Sequence, residues 1–573
     1  MLSTEINRVL LLLGLGVTAY LMILAWDADY SSGDTPVEYA APIEVPADAT
    51  AAVVDPGVAA TEPAVSDVPD ASLIAGAAGD ATVSVPQPAA GNAGRLVRVS
   101  TPRLSVWIDR LGGDIVRVEL PEFPFEIDRP DAPYTLLNSS NGRVYVAQSG
   151  LFGPDGIDGG GSRPLYETAA RSYELTDGTL DVVFTTTQDG LRVEKTFGFT
   201  SDEFLVNVGF SVANGNSRPI QASMFSQIKR DSRDPIGGGA WTMGPTPYLG
   251  AALTTSEERY YKLDFEDLDE GRFQSAEQGG WMAFLQHYFL SAWIANPDET
   301  NLFFGQRRAD GTYAVGFTGP LKEVAPRETG TWESRFYVGP KDQKRLEELA
   351  PNLNLTVDYG FLWWLAVPLF YVLDALHSFV GNWGVAIILL TVLVKLVLYP
   401  LSSASYRSMA NMRRVAPQLK RIQERFADDR QKLSQEMMAL YRKEKVNPLG
   451  GCLPMLLPMP IFIALYWVLF ESVELRHAPF MLWIDDLAAK DPYFVLPLLM
   501  GASMYLQQLL SPAVGDPMQV RMMKLMPVMF TALFLFFPAG LVLYWLVNSV
   551  LSIAQQWFVM KQTDAAFAAK KGQ

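Results

Sequence analysis

At 573 residues with a formal net charge of −16, the chain is long enough for several domains, and its charge taken alone describes a soluble acidic protein. Its composition excludes that reading, because a turn-rich, alternating middle gives way from about Tyr359 to a stretch dominated by Leu, Phe, Val, Met and Trp. A single cysteine, Cys452, excludes an intrachain disulfide and the multi-cysteine metal patterns, and the three histidines, His287, His377 and His477, are too scattered to point to a metal site or triad.

The first apolar run, Val9 to Trp26, follows Arg8 and is about eighteen residues long, near the minimum for a spanning helix. No small-x-small cleavage pattern follows it, so residues 1–26 are expected to form an uncleaved anchor with a cytoplasmic N-terminus. Residues 27–94 contain no Lys or Arg and are Ala, Pro, Asp, Val and Gly without periodicity. Such a composition buries too little apolar surface to offset the entropy of ordering, which predicts a disordered, acidic periplasmic tether.

From Arg95 the pattern becomes short alternating runs separated by turn signals, as in Leu104-Ser-Val-Trp-Ile108. Asp189-Gly190 between two such runs predicts a hairpin. An all-β sandwich domain is expected over 95–345. Residues 359–380 are apolar except for Asp374, His377 and Ser378, which share one helical face. Were this segment to span as well as 381–401, the following loop would fall on the side of the β domain. That loop, Ser402 to Gly450, carries eleven basic residues against five acidic ones. The positive-inside rule forbids the arrangement, so 359–380 is expected to lie in the outer interface and 402–450 in the cytoplasm, as an amphipathic helical hairpin.

Further spans are expected at 451–471, where Pro454, Pro458 and Pro460 introduce kinks, and at 493–511. Residues 472–492 form a periplasmic loop between them, and 512–524 a cytoplasmic one. Leu525 to Val559 as one helix would measure about 52 Å, too long for a hydrocarbon core of about 30 Å. Phe537-Pro-Ala-Gly540 must turn it back, making 525–560 a tight two-helix hairpin and 561–573 a cytoplasmic tail.

One ionisable residue lies inside a span. Lys395 follows an apolar run from Gly384, and a charge at such depth costs about 2.5–3.5 kcal/mol on insertion scales. Two readings are open. The side chain snorkels to the cytoplasmic boundary, about 9 Å away, or it faces a wet cavity lined by Thr391, Gln507, Gln508, Asn548, Gln555 and Gln556. No acidic residue lies within the apolar run of any span to pair with it, Glu471 standing at the very end of 451–471. Met455, Met459, Phe462 and Tyr466 on one span and Phe530, Leu533, Phe534 and Phe537 on another form a soft apolar surface, read either as helix packing or as a promiscuous binding face.

These residues, with Tyr337-Val-Gly-Pro-Lys341, Gly381-Asn-Trp-Gly384, Tyr399-Pro-Leu401, Gln435-Glu-Met-Met-Ala-Leu-Tyr441, Asn447-Pro-Leu-Gly-Gly-Cys-Leu-Pro454, Met459-Pro-Ile-Phe462, Asp516-Pro-Met-Gln519 and Phe537-Pro-Ala-Gly-Leu-Val-Leu-Tyr544, resemble the Gram-negative branch of the YidC/Oxa/Alb group of membrane-protein insertases over nearly the whole chain. The resemblance implies an all-α five-helix membrane core beside the N-terminal anchor, and a periplasmic all-β supersandwich similar to sugar mutarotases. It also implies an inner-membrane location, both termini cytoplasmic, and a groove open to the cytoplasm. In that groove Lys395, Thr391, Gln508 and Asn548 meet hydrophilic substrate segments, while Met455, Met459, Phe462, Phe530, Leu533 and Phe534 form the apolar slide. The implied activity is non-enzymatic insertion, folding and assembly of membrane proteins and lipoproteins. The implied partners are nascent membrane proteins, the ribosome, the Sec translocon with its accessory subunits, and membrane lipids, with no cofactor, metal or nucleic acid ligand. The family's groove residue is usually Arg; with Lys395 the charge survives but the bidentate fork does not. A mutarotase-like enzyme needs acid/base pairs, and the β domain offers only His287; a solute transporter needs paired intramembrane charges and an internal repeat, and neither is present.

Overall fold

The computed structural model describes residues 68–69, 94–140, 142–158, 163–233, 247–426, 429–444, 459–510 and 517–571. The anchor expected over 1–26, all of the tether but Val68, Pro69 and its last residue, Cys452, the proline pair Pro454 and Pro458, and Met455 lie outside the described residues. The rest divides into two compact units between Val357 and Asp358.

The first unit is a pair of β-sheets of eleven and nine strands. Alternation explains the pairing. In Leu205–Asn214 the residues Val206, Val208, Phe210 and Val212 are buried, and their neighbours across the register include Phe336 and Trp332 of Thr329–Pro340. Thr179–Gln188 and Leu191–Thr200 are joined by Asp189 and Gly190, both at positive φ (52° and 77°), the two-residue turn whose twist matches the flanking strands.

Polar side chains tie the two sheets together through the core. Trp293 Nε1 donates to the Gln227 carbonyl at 3.0 Å, and the Tyr145 and Ser291 hydroxyls are 2.7 Å apart. Lys195, with no exposed surface, places its ammonium in a cradle of three carbonyls, Gly112 at 3.0 Å and Gly113 and Ser149 at 2.9 Å. Beside it Arg163 pairs with Asp114 and Asp158, and Gln148 donates to Asp114 at 2.9 Å. Every ammonium proton of Lys195 is satisfied, which is what burial of a charge requires.

The second unit is helical. Its helices are α1 (Trp363–Val380), α2 (Trp383–Val397), α3 (Tyr399–Arg425), α4 (Arg430–Lys443), α5 (Met459–Glu471), α6 (Val495–Leu510), α7 (Pro517–Phe534) and α8 (Ala539–Lys571). Asn382 caps α2 by accepting from the Val385 N–H at 3.0 Å, and Asp491 caps α6 by accepting from Leu496 N–H at 2.7 Å. The stretch expected as one span over 381–401 breaks at Leu398, where α2 and α3 meet at 67°. Pro400 supplies the cause, since proline removes a donor and disfavours helix in the residue before it. Within residues 402–450, α3 and α4 pack through Met412, Val415, Leu419 and Leu440.

Among the described residues, Gly360–Val380 and Ala539–Ala566 are long and apolar enough to cross a membrane, and α2 with α3 makes a third such stretch if the bent pair counts as one span. The apolar helices Met459–Glu471, Val495–Leu510 and Lys524–Phe534 are shorter.

The loop Val473–Phe494 closes one end of this bundle. Asn382 Nδ2 donates to the carbonyls of Pro479 (3.3 Å) and Phe480 (3.0 Å), and the first turn of α8 donates to the loop from Ala539 and Gly540, to Ala489 (2.7 Å) and Leu487 (2.9 Å). The loop is therefore stitched to the beginnings of both α2 and α8.

Candidate functional site

Along α2 the residues Ile387, Thr391 and Lys395 recur every four positions and form one stripe, while Leu389, Leu393, Leu396 and Val397 are exposed on the opposite side. On α8, Ser549, Ser552 and Gln556 form a buried polar stripe. The two helices pack with these stripes together, and Lys395 is half-buried between them.

The Lys395 ammonium donates to Ser552 Oγ at 2.6 Å, and Ser552 in turn donates to the Asn548 carbonyl one turn earlier at 2.7 Å. Tyr406, reaching in from α3, hydrogen-bonds the same serine hydroxyl. Ser552 thus spends its proton on its own helix and presents its oxygen to the cation. Among the described residues the ammonium has no carboxylate partner. An ammonium carries three donors, so two are left for whatever enters the recess.

Thr391 is buried, and its hydroxyl donates to the Ile387 carbonyl at 2.7 Å. Asn548 meets Lys395 through its backbone carbonyl and the Ser552 relay. Gln508 is half-buried on α6, and among the described residues its Oε1 has no partner and nothing links it directly to Lys395. Toward the far end of the stripe, Gln555 Nε2 lies 3.4 Å from both the Tyr399 carbonyl and Ser403 Oγ, and Ser402, Ser403 and Ser405 are buried. Sequence reasoning did not single out Ser552, Tyr406 or these serines. Serine in an apolar helix carries little pattern of its own, and residues 402–406 read as the start of a basic loop.

The apolar residues separate into two groups. Phe462, Phe530 and Phe534 gather around Trp545, with ring centroids 4.4, 6.3 and 5.7 Å from it. Phe534 is 2% exposed and is part of the packed interior. Met459 and Leu533 instead remain exposed, Val528 and Met529 extend the open apolar face of α7, and Phe536 is exposed in the turn after it. Trp545 was missed as the hub because its neighbours Tyr544 and Leu546 make it look like one more apolar residue of the span.

A β sandwich together with a separate bundle of apolar helices, in which Lys395 is held in a serine-lined recess, defines a membrane protein with a large extramembrane domain and a polar cleft among its helices. Residues 96–372 match the family described as the YidC periplasmic domain, and 375–566 match the 60Kd inner membrane protein family. The chain is 48% identical over 98% of its length, and 99% of theirs, to the membrane protein insertase YidC of Azotobacter vinelandii. It is 46% identical, with the same coverage of each chain, to that of Pseudomonas fluorescens. A solved structure described as an active YidC insertase with the first transmembrane domain resolved aligns over 80% of this chain and 92% of its own, at 17% identity and a TM-score of 0.36. The chain belongs to the YidC family of membrane protein insertases. It is a protein of the bacterial inner membrane, with a periplasmic domain and an apolar helical C-terminal region.

Proposed function

We propose that the chain inserts membrane proteins by giving the hydrophilic part of a nascent segment a polar recess at Lys395, while its apolar part moves into lipid along Met459 and Leu533. The observation that carries the reading is the Lys395–Ser552 hydrogen bond. A snorkelling lysine would spend its donors at the membrane boundary, whereas this one is directed into the bundle.

The recess shortens the apolar path a polar segment has to cross, since its serine, threonine and amide groups replace part of the water that the segment loses. The loop Val473–Phe494 closes the opposite end, about 18 Å along α2 from Lys395, so the recess opens on the cytoplasmic side alone. In this reading α2, α5, α6, α7 and α8 are the five core helices and α1 lies in the outer interface, with Trp363, Trp364 and Phe379 facing lipid. Gln508 and the side chain of Asn548 line the recess farther from Lys395, and the termini are cytoplasmic. Lys395 attracts acidic segments as a point charge, without the geometric demands of a bidentate arginine.

The substrates are nascent membrane proteins, met directly from the ribosome or beside the Sec translocon and its accessory subunits. The basic faces of α3 and α4 suit the phosphate-rich surfaces of ribosome and lipid. Photocrosslinkers at Met459 and Leu533 are expected to capture a stalled nascent membrane protein. No nascent-chain adduct at either position, with insertion unchanged on depletion of the protein, would overturn the proposal.

A further inference from the structure

The composition of residues 27–94 predicts a chain with nothing to pack, yet two of its residues sit against the β domain. Pro69 is buried, and Val68 packs with Leu321 against Phe152 and Phe225. The two aromatic rings meet edge-on at 5.9 Å, and the Arg163 guanidinium lies 5.3 Å over Phe225 from another side. Phe152 and Phe225 are neighbours across one sheet, where Phe225 pairs with Gly150. A Cβ on Gly150 would meet the Phe225 ring at 2.6 Å, so the glycine gives that ring its place. The patch is therefore a built feature of the sheet.

The occupant suits it. Proline fixes its own φ and holds the residue before it extended, so a Val-Pro pair presents its valine with little conformational freedom left to lose on docking. The tether contains three such pairs, Val45-Pro46, Val68-Pro69 and Val85-Pro86. We propose that Val68–Pro69 is an intramolecular docking motif and that Phe152, Phe225 and Leu321 are its receptor patch.

The consequence is mechanical, and it rests on reading residues 1–26 as the membrane anchor. With the motif docked, the chain between the anchor and the β domain is counted to Val68 and no longer to Gly94. Docking shortens the chain available between the anchor and the β domain from the 68 residues of 27–94 to the 41 of 27–67, each worth at most about 3.3–3.6 Å. Undocking restores the full length.

The test uses the full chain in lipid nanodiscs, in a Cys452→Ser background, with a nitroxide on Ser66→Cys and its mobility read by electron paramagnetic resonance. The label is expected to tumble several-fold more slowly than a free tether label, to be released by Val68→Asp, and to be indifferent to Val45→Asp. Both substitutions lie in the tether, so the β domain folds in each. A label that is fully mobile in the parent overturns the proposal, as does one that is slow but unmoved by Val68→Asp or equally released by Val45→Asp.

Discussion

The Lys395 ammonium lies 2.6 Å from the Ser552 hydroxyl oxygen, joining α2 to α8 across 157 positions of sequence. Because Ser552 gives its proton to the Asn548 carbonyl, it meets the lysine purely as an acceptor. The serine thereby fixes the direction in which the cation points.

Ser552→Ala removes that acceptor. A hydrogen bond to a charged group contributes about 1.5–3 kcal/mol, and each 1.4 kcal/mol is tenfold in an equilibrium. Insertion of a substrate with an acidic translocated segment is expected to fall by about tenfold, with a neutral-segment substrate nearly unchanged. Ser552→Thr keeps the hydroxyl and is expected to restore activity. In vitro insertion of matched substrates measures this, and equal losses for both substrates would make Ser552 a packing residue only.

Phe534 and Met459 were grouped together on chemistry but differ in surroundings. Phe534→Ala opens a hole in the Trp545 cluster and is expected to cost about 3–5 kcal/mol of stability. Met459→Ala, on an exposed face, is expected to leave thermal stability nearly unchanged and to reduce crosslinking to nascent chains. Melting of the detergent-solubilised chain, set beside the crosslinking yield, separates the two.

How much of this was legible in the sequence follows from the range of each interaction. Asp189-Gly190 announced its hairpin because the turn is local, and Lys395 stood out because an apolar run makes any charge conspicuous. The Lys395–Ser552 contact did not, since it joins residues far apart in the chain and one partner is an ordinary serine. Lys195 was silent for another reason: alternation puts it on the inward face with Leu191, Val193 and Phe197, but the three carbonyls that make a buried ammonium tolerable there come from Gly112, Gly113 and Ser149, far away in the chain.

Lys195→Met keeps most of the volume and removes the charge. It leaves three carbonyls without their donor and the neighbouring carboxylates, Asp114 and Asp158, with one cation fewer. Breaking a buried charged network in this way costs about 3–5 kcal/mol. The β domain's tryptophan fluorescence melt is expected to shift down by several degrees, and an unchanged melt would show that the cradle contributes nothing.

His477 links pH to the closing loop. Burial, helped by the neighbouring Arg476 guanidinium and opposed by Asp486, holds its imidazole below the ordinary histidine range. The unfolded loop then binds a proton that the folded loop refuses. Stability contributed by the neutral imidazole is present above the ordinary value of about 6.5 and is lost as pH falls through the lowered one. His477 also sits at φ 58° and donates its backbone N–H to Asp486 at 3.1 Å. His477→Asn tolerates that backbone and is expected to abolish the acid-induced loosening of Val473–Phe494. Hydrogen exchange in the loop, compared between parent and variant at each pH, reads the difference; identical pH dependence would contradict it.

On the proposed function, Lys395 acts as a point charge drawing acidic hydrophilic segments into the recess. The most direct measurement of that role is insertion of three matched substrates, with acidic, neutral or basic translocated segments, by the parent, Lys395→Ala and Lys395→Arg proteins. Lys395→Arg is expected to match the parent on all three, while Lys395→Ala is expected to lose the acidic substrate several-fold and spare the neutral one. Normal insertion of the acidic substrate by Lys395→Ala, or an equal loss on all three, would contradict it.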